Sequence, residues 1–314
     1  MQLESEIAAF ARMYESFEPL DADAARDPAR YQERYRRLAA AIETSPPDGV
    51  SREDAVVISA VGEIPIRIYR RYEVANAPCC LFFHGGGWTL GDIDTHDAWA
   101  ADLCADSGAT VIATDYRLAP DARYPAAFDD CYAVFNEVSE NSDRYSINPE
   151  RIAVYGDSAG GNLAAAVSLK ARDLDKPGIC GQVLVYPALH YGSPLPSWLA
   201  NRDAPILSLK SLEACWAGYL GGVEPDAYAA PLLADRFDNL PSAWIIAAEH
   251  DPLHDDGLFY AKALRDAGVF VELLDCSGLV HGCFRVRHGS ATTRVAYQFS
   301  VSAVRKALNI DIVE

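Results

Sequence analysis

The sequence predicts an α/β fold: a mostly parallel central sheet flanked by helices, with a helical segment inserted late in the chain. Three observations predict it. Beyond Arg70, short runs of β-branched and aromatic residues alternate with helical stretches, the pattern of right-handed crossovers between parallel strands. Ser158 sits in a Gly-x-Ser-x-Gly frame where one such strand meets an alanine-rich helix. Residues 190–222, with Pro194, Pro196 and Trp198 ahead of a helix around Leu212, Trp216 and Tyr219, interrupt the alternation. At 314 residues and 50% hydrophobic content, the chain can bury one sizeable core, and global disorder is excluded.

The elements follow in order. Ile7, Phe10, Tyr14 and Phe17 recur at helical spacing, with Glu4, Glu15 and Glu18 on the polar side. A second helix is expected from Asp27-Pro28, with Asp27 as N-cap and Pro28 at the first helical position. Tyr31, Tyr35, Leu38 and Ile42 mark its apolar face. The glutamates disfavour a membrane-surface role for this pair. Ser45-Pro46-Pro47-Asp48-Gly49 breaks the chain and opens the core. Val56 to Ala60 and Ile64 to Arg70 then read as a hairpin at the sheet edge, turning around Val61-Gly62-Glu63.

Cys79-Cys80-Leu81-Phe82-Phe83 is an apolar strand running into His84-Gly85-Gly86-Gly87-Trp88. Three glycines at a strand end let backbone N–H groups approach a ligand unobstructed. Acyl transfer requires such donors, because the attacked carbonyl becomes an oxyanion. Ile152-Ala153-Val154-Tyr155 is the strand before the serine, and Asn162-Leu163-Ala164-Ala165-Ala166-Val167 the helix behind it. A turn that tight strains the serine, lifts its hydroxyl toward a cleft, and leaves no room for side chains at Gly156 and Gly160. The N–H of Ala159 is the expected further oxyanion donor beside those of Gly85, Gly86 or Gly87.

Ala243-Trp244-Ile245-Ile246-Ala247-Ala248 is another buried strand, ending at Glu249-His250-Asp251. Phe270-Val271-Glu272-Leu273-Leu274 is a further strand, followed by a loop carrying His281. A carboxylate at the first strand end can hold the tautomer of an imidazole at the second. Asp255 and Asp256 are alternatives to Asp251, although they fall in the turn or helix beyond the strand end. The order Ser158, Asp251, His281 is that of α/β-hydrolases, unlike chymotrypsin or subtilisin. His250 and His254 have i,i+4 spacing beside aspartates, yet an Asp-Pro step between them makes a shared helix face, and so a metal site, unexpected. His84 reads as a hydrogen-bonding residue that shapes the glycine loop. His96, His190 and His288 read as surface or core residues.

The formal net charge of −18 and pI near 4.7 argue against nucleic acid or an anionic membrane as partner. The acidic surface suits a salty habitat, and coding bias explains the scarcity of lysine as well. Eight cysteines form no Cys-x-x-Cys pair, as expected of buried thiols in a reducing cytoplasm. The opening Met1-Gln2-Leu3-Glu4-Ser5-Glu6 does not read as a signal peptide, and no run approaches transmembrane length.

Together these motifs resemble those of bacterial esterases of the hormone-sensitive-lipase family, in the group whose elbow reads Gly-Asp-Ser-Ala-Gly. The likeness runs from about residue 50 to the C-terminus. It includes Gly91-Asp92-Ile93-Asp94, Asp115-Tyr116-Arg117-Leu118-Ala119-Pro120, Tyr124-Pro125-Ala126, Asp251-Pro252-Leu253 and His281-Gly282. The resemblance implies an α/β-hydrolase fold and cofactor-free hydrolysis of short- to medium-chain esters. It implies Ser158, Asp251 and His281 as triad, with Gly85, Gly86, Gly87 and Ala159 around the oxyanion. Amidase, formamidase or lactonase activity on the same scaffold, and a non-catalytic receptor, are the alternatives. The resemblance further implies a cap from residues 1–48 and 190–222 over a catalytic domain of residues 49–189 and 223–314. Trp88, Trp216 and Tyr219 then either line the acyl pocket or pack cap against core. Homodimerisation through the last edge strand, around Val269 to Leu274, stays open. Cys283 departs from the phenylalanine common after His-Gly in the family.

Overall fold

The computed structural model describes residues 3–17, 27–42, 46–72 and 74–311. Glu18 and Ser45, assigned above to a polar helix face and a chain break, lie outside them, as do Met1 and Gln2. The helix pair at the N-terminus is α1 (Ser5–Ser16) and α2 (Pro28–Ile42). Asp27 Oδ1 accepts from the N–H groups of Ala29 and Arg30, so the aspartate caps α2 as its sequence predicts.

Among the described residues, eight strands form one sheet in the order β1-β2-β4-β3-β5-β6-β7-β8. They are β1 (Ser51–Ser59), β2 (Gly62–Arg70), β3 (Ala77–Phe83), β4 (Thr110–Thr114), β5 (Ile147–Asp157), β6 (Ile179–Val185), β7 (Ser242–His250) and β8 (Val271–Val280). β1 and β2 pair antiparallel, as do β2 and β4; every other neighbour is parallel. The hairpin turns at Ala60-Val61, because Ser59 pairs with Gly62, one residue or two earlier than its glycine suggested. β8 corrects a larger expectation. It continues to Val280, opposite His250, so His281 leaves the end of a strand rather than the middle of a loop.

Connecting helices cover both sheet faces. α3 (Asp97–Ser107) and α10 (Ala291–Ala307) pack on one, and α4 (Ala126–Glu140), α6 (Ala159–Asp173) and α9 (His254–Asp266) on the other. Successive strand residues point to opposite faces, so the core is two apolar layers. On β3, Cys79, Leu81 and Phe83 join one, while Cys80 and Phe82 join the other. The short α5 (Ser142–Tyr145) precedes β5, and residues 190–222 carry α7 (Pro196–Ala200) and α8 (Leu209–Leu220). No helix among the described residues is long and apolar enough to cross a membrane.

Candidate active site

β5 and α6 meet at Ser158, whose backbone holds φ 54° and ψ −117°. A serine in that region is strained and persists only where its surroundings fix it. They do so on both sides. Its N–H donates to the Val185 carbonyl at 2.9 Å, and its carbonyl accepts from Asn162 at 3.0 Å and Ala188 at 3.2 Å. The helix must also approach closely: a Cβ on Gly160 would overlap the Phe83 carbonyl, and one on Gly156 the Gly160 carbonyl.

The ends of β7 and β8 supply a second pair. His281 Nδ1 lies 2.6 Å from Asp251 Oδ2. Asp251 is fully buried, and its other oxygen accepts the Leu253 N–H at 2.9 Å. The two rival aspartates point elsewhere. Asp255 accepts the N–H of Ser197 at 2.8 Å. Asp256 accepts from Leu189, His190 and the Trp198 indole, each at 2.9 Å. Burial pushes Asp256 up to about 7, against the downward pull of those donors.

The glycine loop departs from expectation at one residue. The N–H of Gly85 donates to Asp157 Oδ1 at 2.8 Å, which removes Gly85 from the oxyanion candidates. The physical reason is the β3–β5 register: Phe83 pairs with Gly156, and Asp157 next in line reaches the second residue beyond the end of β3. Burial pushes Asp157 up to about 6, while Arg285 and the Gly85 N–H act in the opposite direction. Gly86 and Gly87 have φ of 128° and 61° and, unlike Gly85, border a cavity of about 520 Å³. Ser158, Ala159 and His281 open into the same space.

The rest of its wall comes from far along the chain. Phe10, Tyr14, Tyr31 and Tyr35 enter from α1 and α2, and Leu212 and Cys215 from α8. Trp88 borders the cavity. Trp216 and Tyr219 do not; they pack behind Trp88, with ring centroids 4.5 and 4.3 Å from its indole. The pocket reading of those two aromatics is therefore corrected: they pack against Trp88, which stands at the cavity wall in their place.

Residues 80–285 match the family described as having the alpha/beta hydrolase fold. The chain belongs to the α/β-hydrolases, in the hormone-sensitive-lipase group. The carboxylesterase NlhH of Mycobacterium tuberculosis is 43% identical over 237 residues, covering 73% of this chain and 74% of that one. The ethyl acetate hydrolase of Pseudomonas putida is 32% identical over 305 residues, covering 91% and 93%. Among solved structures, the hyperthermophilic esterase of Pyrobaculum calidifontis superposes with a TM-score of 0.90 at 31% identity. That match covers 98% of this chain and 99% of the other.

The remaining histidines of this hydrolase have structural places. His84 Nδ1 lies 2.9 Å from the Gly85 carbonyl, and its ring stacks on Tyr116 at 4.2 Å. Burial pulls it down to about 4, so it is neutral. His96 is buried against it, 2.9 Å from Arg285 Nη2, and burial and Arg285 hold it well below the ordinary histidine range. His190 bonds the Ser193 carbonyl and His288 the Asp102 carboxylate. His250 ends β7 while His254 opens α9, so the two share no helix face. Cys283 is fully buried in a short 3₁₀ turn just beyond His281. Sequence reasoning missed the roles of Asp157 and Arg285, and weighed Asp256 only as a rival to Asp251, not as the acceptor of three N–H donors. A charged residue in a glycine-rich run was the only signal for Asp157.

Proposed function

We propose that this carboxylesterase is a serine hydrolase that cleaves short- to medium-chain acyl esters through an acyl-enzyme. The observation that carries the reading is the 2.6 Å bond from buried Asp251 to His281, whose ring opens into the same cavity as Ser158. Ser158 Oγ attacks the ester carbonyl as His281 Nε2 takes its proton. The N–H groups of Gly86, Gly87 and Ala159 receive the oxyanion. His281 returns the proton to the leaving alcohol, then activates a water that releases the acid and restores Ser158. Asp251 fixes the imidazole tautomer and stabilises the imidazolium. Side chains and backbone supply every step, without a cofactor.

Residues 1–48 and 190–222 act as a cap over the catalytic domain of residues 49–189 and 223–314, a division supported by the cavity walls they supply. Exclusion of water beneath it strengthens the oxyanion interactions. The cavity suits a small-molecule ester, and the net charge of −18 disfavours nucleic acid and anionic membranes as partners. Eight free thiols, six of them buried, support a reducing compartment such as the cytoplasm. β8 is an outer strand of the sheet, which supports a homodimer formed by pairing two such edges.

Initial rates on p-nitrophenyl esters from acetate to laurate, with Ser158→Ala as control, test the reading. Activity peaking at short chains and lost in the variant is expected. More than trace activity in Ser158→Ala overturns the mechanism, and silence across the series moves the substrate to amides or lactones.

A further inference from the structure

Helix α8 bears directly on the glycine loop. A Cβ placed on Gly87 would lie 2.5 Å from Cys215 Sγ, so the thiol occupies the space a side chain there would need. A Cβ on Gly218 would lie 3.4 Å from Thr89 Cγ2, which puts the next turn of the helix against the next part of the loop. Tyr219 stacks on Trp88 with 6° between the rings, and Trp216 packs on the same indole at 48°. Both ends of the stack are tied to the catalytic domain. The carbonyl of Tyr219 accepts from Tyr124 at 2.8 Å, and that of Trp88 from Ala119 at 2.9 Å.

The loop requires such support. Gly87 and Trp88 are successive left-handed residues, with φ of 61° and 58°. Glycine adopts that conformation freely, but a tryptophan there costs about 1–2 kcal/mol and stays only if its neighbours hold it. Trp88 is 1% exposed and Tyr219 fully buried. Relaxation of Trp88 toward negative φ would rotate the peptide joining it to Gly87, and with it the donors on either side.

We propose that Tyr219, Cys215 and Trp88 are positioning residues, and that α8 is a strut fixing the N–H groups of Gly86 and Gly87 at the oxyanion. The inference rests on the reading of those two glycines as oxyanion donors. It makes α8 a part of the catalytic geometry as well as a cover. The strut works through ring packing rather than hydrogen bonds. Trp88 Nε1, Trp216 Nε1 and Tyr219 Oη are all buried without a hydrogen-bond partner among the described residues. Deleting the Tyr219 hydroxyl should therefore leave the strut intact, whereas deleting the ring should not.

The test compares Tyr219→Leu with Tyr219→Phe on p-nitrophenyl acetate, which is too small to depend on the far walls of the cavity. A phosphonate active-site titration counts the competent serine in each preparation. Per titrated site, Tyr219→Leu should lower kcat at least about tenfold while KM moves less than about twofold, the mark of misplaced transition-state donors. Tyr219→Phe should retain both constants. Separately, Gly87→Ala, which drives a methyl into Cys215 Sγ, should lower kcat, and Cys215→Gly in the same chain should restore part of it. Unchanged kcat in Tyr219→Leu beside an impaired Gly87→Ala overturns the strut and leaves the oxyanion reading standing. Absence of recovery in the double variant also overturns it. Full kcat in Gly87→Ala, which keeps the N–H and adds only the methyl, overturns the Cys215 contact as a positioning device.

Discussion

Asp251 uses one oxygen on His281 Nδ1 and the other on the Leu253 N–H, so its position is set before any substrate arrives. In Asp251→Asn an amide N–H can face Nδ1 and select the wrong tautomer; kcat on p-nitrophenyl acetate should fall about 10⁴-fold with the fold retained. Asp256 carries a different prediction. Its folded value of about 7 lies above the ordinary 3.8, so between the two the folded chain binds more protons than the unfolded one. Its contribution to stability is full below about pH 4 and is lost as pH rises to about 7. The melting temperature of wild type relative to Asp256→Asn should fall across that window and level above it; a constant difference would contradict the assignment. The proposed triad was legible at Ser158 and Asp251, each at the end of an apolar strand, and at His281 through chain order, since the last part of β8 read as a loop. The loss of Gly85 to Asp157 was not, because it depends on the β3–β5 register, which no local pattern encodes. The three N–H donors on Asp256 were hidden likewise, coming from residues near 190 in the chain.

At the level of elements, legibility tracked hydrophobic pattern. β3, β7 and the Ile152–Tyr155 part of β5 are apolar on both faces and were read directly, while β5 starts earlier, at Ile147, in a polar stretch. β1 starts at Ser51, ahead of its apolar part, because Arg52, Glu53 and Asp54 form an exposed edge that pairs with β2 and is latched by Arg67 on Asp54 at 2.6 Å. Charges on an edge strand discourage pairing with other chains, and they also conceal the strand. The last part of β8 was hidden by Asp275, Ser277 and Gly278, poor strand formers by composition. Partners elsewhere hold it: Cys276 pairs with Ala248, and the Gly278 N–H donates to Glu249 Oε2 at 2.7 Å. α10 begins with a capping box in which Ser290 Oγ and Thr293 Oγ1 each accept the other's backbone N–H, both at 3.1 Å. Ser290→Ala should cost about 1 kcal/mol, measurable as a lower urea midpoint with the same slope.

Over the whole molecule, alternation of strand and helix made the architecture readable, whereas the cavity was not. Its walls join aromatic residues from α1 and α2 to a serine more than a hundred positions later, and their helical spacing said only that one face would be covered. The charge imbalance of 45 acidic against 27 basic side chains sets up self-repulsion that salt screens. Raising NaCl from about 0.05 to about 0.5 M should raise the melting temperature, and a flat or falling curve in scanning calorimetry would show that the charges are already balanced locally. The two apolar layers meet at consecutive residues of one central strand, Cys79 in one and Cys80 in the other, both fully buried. That adjacency furnishes two clocks on a single peptide. With the other six cysteines replaced, the rate at which an alkylating reagent reaches each thiol times the opening of its own layer. Equal rates would mean that both sides of the sheet come apart in one event; unequal rates would identify the side that lets go first.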